Sequence, residues 1–287
     1  MESFSITIIT INYNNATGLL KTIDSLAHQN NKSFEYIIID GGSTDNSLDI
    51  IKINSDIVDY FVSEPDNGVY NAMNKGLAKA TGEYCLFLNS GDILFNQDTI
   101  SNLHTYINSN SDIYYSDCAI GSSKDYTYIN YPQNITTDYL LVNTINHQNQ
   151  LIRLSLLKKC GGYREDMMIR SDWLLTLQVA TQFNAKFQKI GEPISIYDNE
   201  GISSRPEMTI KANLETIRGI KELFPVFSDT LEEYIKARQS IFGNIVYNFG
   251  YSKPLHFSLR IYRFLARKLP FLRNNRKRSF SEMQELQ

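Results

Sequence analysis

Cysteine, tryptophan and proline are scarce in this chain, at three, one and seven among 287 residues. Cys85, Cys118 and Cys160 are odd in number, far apart and without any C-x-x-C pair. Neither a disulfide framework nor a zinc site is expected from them, and reduced core thiols of a cytosolic protein are. No run of about 20 uncharged apolar residues occurs, so no membrane span is expected. Nor is a secretory leader, since Met1-Glu2-Ser3 carries no basic start and the apolar run that follows is strand-length and holds threonine. Internal repeats and low-complexity tracts are lacking as well.

What is present is the composition of a folded protein, 42% hydrophobic and 21% charged. The length allows one or two domains. A net charge of -3 hides an uneven distribution: residues 253–278 hold nine Lys/Arg and no acid, leaving 19 basic residues against 31 acidic ones elsewhere. Within that stretch Phe257, Ile261, Phe264, Leu265 and Leu269 recur at helical spacing among Arg260, Arg263, Arg267 and Lys268. A basic amphipathic helix of this kind is expected to lie on an anionic membrane surface, the competing reading being a terminal helix docked on the rest of the chain. Nucleic acid is not an expected partner, because no recognised binding module accompanies the basic patch.

The first ninety residues alternate short β-branched runs with helical patterns, which predicts parallel βαβ units. Strands are expected at 6–11, 36–39, 56–62 and 85–88. Helices are expected from Leu19, from Ser47 and over 69–80, the last stopped by Gly82. Beyond Asp92 a helix is predicted over 99–107, strands at 113–118, 126–129 and 148–152, and an amphipathic helix over 172–182. From 207 onward the pattern is helical, with stretches at 231–249 and 255–269. A boundary is expected near Arg205-Pro206, giving a domain of residues 1–205 and a helical region 206–287.

Chemistry-bearing residues gather where predicted strands end. Cys85-Leu86-Phe87-Leu88 stops at Asn89-Ser90-Gly91-Asp92, and Tyr36-Ile37-Ile38-Ile39 stops at Asp40, followed by Gly41-Gly42-Ser43-Thr44-Asp45. Carboxyl ends of parallel strands are where open α/β sheets bind ligands. Two acids along that edge suggest a polyhydroxylated, phosphorylated ligand with a hard metal ion.

These segments, in this order, resemble the family 2 glycosyltransferases over roughly residues 4–200. Residues 6–14 are similar to the family's opening strand and first nucleotide-contacting turn, and 40–45 to its strand-end acid and turn. Residues 64–76 are similar to the segment leading into its nucleotide-covering helix, 89–92 to its D-x-D metal motif, and Ser171-Asp172 to the site of its catalytic acid. The resemblance implies a GT-A fold over residues 1–205, a Rossmann-like mixed α/β sheet flanked by helices, with a nucleotide-sugar half at about 1–95 and an acceptor half at about 96–205. It also implies an inverting transfer from a nucleotide-sugar, UDP-linked, to a saccharide or lipid-diphosphate-linked saccharide in surface-polysaccharide synthesis. Such an enzyme is expected in the cytoplasm, peripheral on the inner face of the membrane.

The same resemblance assigns expected roles. Asp172 is the base, Asp92 holds Mn²⁺ or Mg²⁺, and Asn12, Tyr13, Asn14, Asp40, Asp66, Lys75, Asn89, Ser90 and Gly91 contact the nucleotide-sugar. His147 and Trp173 face the acceptor. Three positions depart from the family pattern: only Asp92 keeps a carboxylate in the metal motif, Asn71 stands where many relatives have Asp, and Ser171 where many have Glu. A one-acid site must take its other ligands from diphosphate oxygens and water. Two alternatives stay open, a non-catalytic sugar-nucleotide-binding protein and a sugar nucleotidyltransferase. The latter would need a Gly-rich basic loop where Asn12-Tyr13-Asn14-Asn15 stands.

Overall fold

The structure, a computed structural model, describes residues 5–107, 111–198 and 208–227, with 229, 230, 232 and 233. The expected alternation opens the chain. Strand β1 (Ile6–Asn12) is buried throughout, and α1 (Ala16–Ala27) starts where the Asn15 side chain accepts the Gly18 N–H. Strand β2 (Glu35–Asp40), α2 (Ser47–Ile53), β3 (Tyr60–Ser63), α3 (Val69–Lys79) and β4 (Tyr84–Phe87) follow. Strand β3 starts four residues later than predicted. The Asp59 carboxylate and amide are both engaged with the Tyr36 backbone, so pairing with β2 begins only after them. Gly82 does not cap α3, which ends at Lys79. It is needed for close approach, because a Cβ there would meet the Thr7 amide nitrogen at 2.8 Å.

The second half adds β5 (Ile93–Leu94), α4 (Thr99–Tyr106), β6 (Ile113–Tyr115), β7 (Cys118–Gly121), β8 (Tyr126–Ile129), α5 (Thr137–Val142), β9 (Gln150–Arg153), α6 (Leu154–Lys159), α7 (Ser171–Gln182), β10 (Phe187–Lys189), β11 (Ser195–Tyr197) and α8 (Met208–Leu223). A 3-10 turn, His147–Asn149, takes the first residues of the strand expected at 148–152. Elements β5, α5, α6, β10 and β11 lack a readable period, being two to six residues long.

The large sheet has the order β10-β6-β9-β4-β1-β2-β3, and a smaller one the order β5-β11-β7-β8. β1 pairs in parallel with β2 on one side and β4 on the other, so the order reverses between β1 and β4. That reversal opens a crevice beyond Asn12. Alternating residues of β1 serve two cores: Ile6 and Ile8 pack with Leu19, Ile23 and Ile100 on the α1, α2 and α4 side. Ile9 and Ile11 pack with Met73, Leu77, Leu157 and Leu175 on the α3, α6 and α7 side. No helix among the described residues is long and apolar enough to cross a membrane.

Contacts group Met1–Ser228 into one compact unit and Asp229–Gln287 into another. Helix α8 lies past the boundary expected at Arg205-Pro206 yet belongs to the first unit, because its buried Glu215 and Gly219 pack on the segment around α7. Almost all of 231–249, and all of 253–278, lie outside the described residues.

Close packing of α3 on β1 supplies a test. Exchanging a helix-interior glycine for alanine ordinarily gains about 1 kcal/mol. At Gly76 the added carbon would stand 2.5 Å from Ile9 Cγ2, and overpacking costs about 1–3 kcal/mol. Gly76→Ala is therefore expected to lower the urea unfolding midpoint, and an unchanged or higher midpoint would contradict this packing.

Candidate active site

The ends of β1, β2 and β4 are joined by one side chain. Asn12 Nδ2 donates to Asp40 Oδ1 at 2.7 Å and to Ser43 Oγ at 3.2 Å, while its Oδ1 accepts from Ser90 Oγ at 2.6 Å. Asp40 is fully buried. Its Oδ1 also accepts the Ser43 hydroxyl, and its Oδ2 accepts the Ser43 amide and the Ser63 hydroxyl at 2.9 and 2.6 Å. Burial pushes this carboxyl up, but the donors from Ser43, Ser63 and Asn12 outweigh it and hold the group below the usual carboxylate range. Asp40, expected at the nucleoside, thus has both oxygens engaged in shaping the turn at 41–44. Asn14 serves the same turn, at φ 49°, accepting from the Thr44 amide.

Gly41 leaves a space that another acid fills. A Cβ there would lie 2.5 Å from Asp66 Oδ2 and 3.2 Å from the Tyr13 ring. Asp66 is oriented by the Gly68 N–H on its Oδ1, and Tyr13 is 66% exposed. An oriented carboxylate thus stands beside an exposed aromatic ring at the mouth of the crevice. Lys75, expected at phosphate, is instead tied to Glu64 Oε1 at 2.7 Å and to the Pro65 carbonyl, so it braces the segment carrying Asp66.

The turn after β4 is built differently from the Asp40 turn. Gly91 has φ +106°, a conformation that favours glycine. Its N–H and the Asp92 carbonyl both bond the Thr22 hydroxyl, fixing the turn on α1. Asp92 is buried, and its Oδ1 accepts the Asp198 N–H at 2.9 Å. Burial pushes its carboxyl up to about 7, against the lowering effects of that N–H and of His147. Nearby, Asn89 Oδ1 is buried with no hydrogen-bond partner. A desolvated carboxylate beside an orphaned amide oxygen suits a hard cation. Among the described residues no three His, Cys, Asp or Glu gather as a metal site, so a cation there would draw further ligands from substrate and water.

Asp172, the second residue of α7, completes the arrangement. Its Oδ1 accepts the Tyr70 hydroxyl at 3.1 Å and the Trp173 N–H at 2.8 Å; its Oδ2 lies 3.3 Å from His147 Nδ1. Burial pushes the Asp172 carboxyl up, but His147, Trp173 and Arg170 outweigh it and hold it low. On its other side His147 Nε2 lies 3.0 Å from Asn89 Nδ2. With the amide donating to Nε2, the proton is assigned to Nδ1, where it faces Asp172. A continuous chain, Asp172–His147–Asn89, then runs from the expected base to the expected metal corner.

Trp173, expected to face the acceptor, is 3% exposed and its indole N–H donates to the Leu140 carbonyl at 2.7 Å, so the ring packs inside the fold. Asn71, where an Asp was the family expectation, donates to Glu165 Oε2 at 2.8 Å. An Asp at 71 would set two carboxylates face to face. Tyr70, Ser43, Ser63 and Asp198 went unread in the sequence. Tyr70 sits inside the 64–76 segment, but nothing local shows that it meets a residue 102 positions away.

The family model described as Glycosyl transferase family 2 matches residues 7–172. The chain belongs to this family. Among relatives of this family 2 chain, the PGL/p-HBAD biosynthesis glycosyltransferase of Mycobacterium tuberculosis is 35% identical over 176 residues, 59% of this chain and 66% of the relative, just under two thirds of its length. An uncharacterized glycosyltransferase of the same species is 28% identical over 215 residues, 71% of this chain and 78% of the relative. Among solved structures, Staphylococcus aureus TarS 1–349 in complex with UDP-GlcNAc superposes with TM-score 0.63 at 20% identity, covering 88% of this chain and 77% of TarS 1–349. The mannosyltransferase PcManGT from Pyrobaculum calidifontis, in complex with GDP-Man and Mn²⁺, gives 0.62 at 15% identity, covering 99% and 85%. These likenesses establish the GT-A fold.

Tyr70 gives the site a measurable signature. Burial and the Asp172 charge raise its hydroxyl well above 10, so it remains a donor across the working range. Tyr70→Phe removes a bond that favours ionised Asp172, and the Asp172 pKa should rise. With Asp172 as the expected base, the acid limb of kcat/KM then moves to higher pH, so that kcat/KM on that limb falls about threefold to tenfold for a bond of about 0.5–1.5 kcal/mol while the plateau above it is kept. An acid limb that stays in place would separate Tyr70 from the base.

Proposed function

We propose that this family 2 chain transfers a sugar, with inversion, from a UDP-linked donor to a saccharide acceptor carried on a lipid diphosphate. The observation that carries the reading is the Asp172–His147–Asn89 chain, which sets a part-buried base against a corner suited to a cation. Of the similar solved structures one holds UDP-GlcNAc and another GDP-Man with Mn²⁺, and a sequence relative is named for PGL/p-HBAD biosynthesis. That supports a nucleotide-sugar and a glycoconjugate without naming either.

Each residue then has a task. Asp66 Oδ2, above Gly41, accepts from the imide N–H of a uracil, and Tyr13 lies against the base. Asp92 and Asn89 Oδ1 would hold Mn²⁺ or Mg²⁺, which supplies Lewis-acid neutralisation of the departing diphosphate. Asp172 takes the acceptor hydroxyl proton at Oδ2, since Oδ1 is already occupied by Tyr70 and the Trp173 amide. His147 donates to that same oxygen and fixes its direction. Attack from the face opposite the diphosphate inverts the anomeric carbon.

Two substitutions separate binding from chemistry. Asp172→Asn is expected to lower turnover of a UDP-sugar by about 10²–10⁴ with UDP affinity intact, the range for loss of a general base. Asp66→Ala is expected to weaken UDP binding about 10- to 100-fold by calorimetry, as for a hydrogen bond to a charged group. Full turnover in Asp172→Asn would remove Asp172 as the base, and a wild-type chain that binds a UDP-sugar with Mn²⁺ present but does not turn it over would favour the non-catalytic alternative.

The basic stretch 253–278 is proposed to hold the chain on the anionic inner face of the cytoplasmic membrane. Removing residues 253–287 should abolish co-sedimentation with phosphatidylglycerol vesicles at low salt. Equal binding by both chains would end the membrane proposal.

A further inference from the structure

Helix α8 lies beyond the stretch that the family model matches, which ends at residue 172. Its Glu215 is 7% exposed, and the carboxylate faces the backbone in front of α7. Oε1 accepts the Met168 N–H at 2.8 Å, and Oε2 accepts those of Ile169 and Arg170, both at 2.9 Å. These three consecutive N–H groups precede the first turn of α7, where no helical carbonyl is available to them. A carboxylate buried this far is costly unless it receives several charge-assisted bonds, and here it receives three.

The same helix touches α7 and its approach at two further places. A Cβ on Gly219 would lie 2.8 Å from Leu174 Cδ1 and 3.4 Å from the Trp173 ring, so glycine lets α8 close onto the first turn of α7. At the surface, Arg164 pairs with Asp166 and Glu222, and Arg218 bridges the same two acids. The opposite flank of this approach is held by α3, where Asn74 bonds the Tyr163 amide and carbonyl and, with Asn71, the Glu165 carboxylate. The segment 163–170 is therefore clamped between two helices, and Asp172 stands immediately after it.

We infer that Glu215 is a positioning residue for Asp172, holding the backbone before α7 so that the carboxylate meets His147 and Tyr70. This rests on the reading of Asp172 as the base. The physical stake is large for a residue that touches no substrate, because displacing a reacting group by about 1 Å can cost about 10²-fold in rate. Plain stabilisation would behave differently: it would lower the melting temperature and leave turnover of the folded enzyme alone.

The test uses the full chain with Glu215→Gln, which keeps side-chain length but turns one acceptor into a donor facing an N–H, and Glu215→Ala as the harsher variant. Three measurements are made well below the melting temperature: transfer kinetics with Mn²⁺ and UDP-sugar, UDP affinity, and amide exchange at 168–170. A fourth, the His147 ring ¹⁵N resonances, reports on contact with Asp172 without substrate. For Glu215→Gln we expect kcat to fall tenfold or more with UDP affinity within twofold, faster exchange at 168–170 and a moved His147 signal, all larger in Glu215→Ala. Unchanged kcat in folded Glu215→Gln, or exchange and His147 signals like those of the wild type, would overturn the inference. A wild-type chain with no turnover on any UDP- or GDP-sugar would instead overturn the proposed function, and the exchange and His147 arms would still decide whether Glu215 holds the base.

Discussion

The carboxamide of Asn12 is the contact on which the strand-end site depends. It is the last residue of β1, the strand at which the sheet order reverses, and it reaches both neighbours at once. Its donor side holds Asp40 and Ser43 on the β2 end, and its acceptor side holds Ser90 on the β4 end. An amide is the side chain suited to this, having donors and an acceptor on one planar group. An acid would lose the bonds to Asp40 and Ser43, and an amine the bond from Ser90.

Three aspartates within this small region, Asp40 and Asp92 buried and Asp172 part-buried, are driven to different states by what surrounds them. Asp40 has four donors and is held ionised, but for that reason nothing remains to offer a ligand. Asp92 is buried with little compensation and its carboxyl is pushed to about 7, a condition that a cation relieves. Asp172 is held low by His147, yet keeps capacity at Oδ2. Burial alone separates none of them; the count and direction of donors does. His147 links the last two, lying within hydrogen-bond reach of Asn89 on one side and Asp172 on the other.

Much of the first half was legible because its signals are local. An uninterrupted run such as Tyr36 to Ile39 buries on both faces as a parallel strand, and the spacing of Leu19, Ile23 and Leu26 faces one core. The resemblance of motifs brought Asp92, His147 and Asp172 to attention, and the fold gathers His147 and Asp172 with Asn89. Less readable were the roles of residues whose partners are distant in sequence. Trp173 looks like a sugar-stacking ring until Leu140 is seen to accept its N–H, and Lys75 looks like a phosphate ligand until Glu64 is seen beside it. Strands of two or three residues in the second sheet carry too little pattern to be read at all.

Hydrophobic period and strand-end turns, which depend only on neighbours along the chain, determined the parallel α/β start, the place of the ligand crevice and the acids at its rim. Tertiary structure decided how many donors each of these acids receives. Whether a carboxylate is saturated, orphaned or aimed depends on donors brought in from 23 to 106 residues away, as Ser63 is to Asp40 and the Asp198 amide to Asp92. It also decided that α8 belongs with the site, since three backbone N–H groups before α7 find their acceptor only when Glu215 folds back onto them.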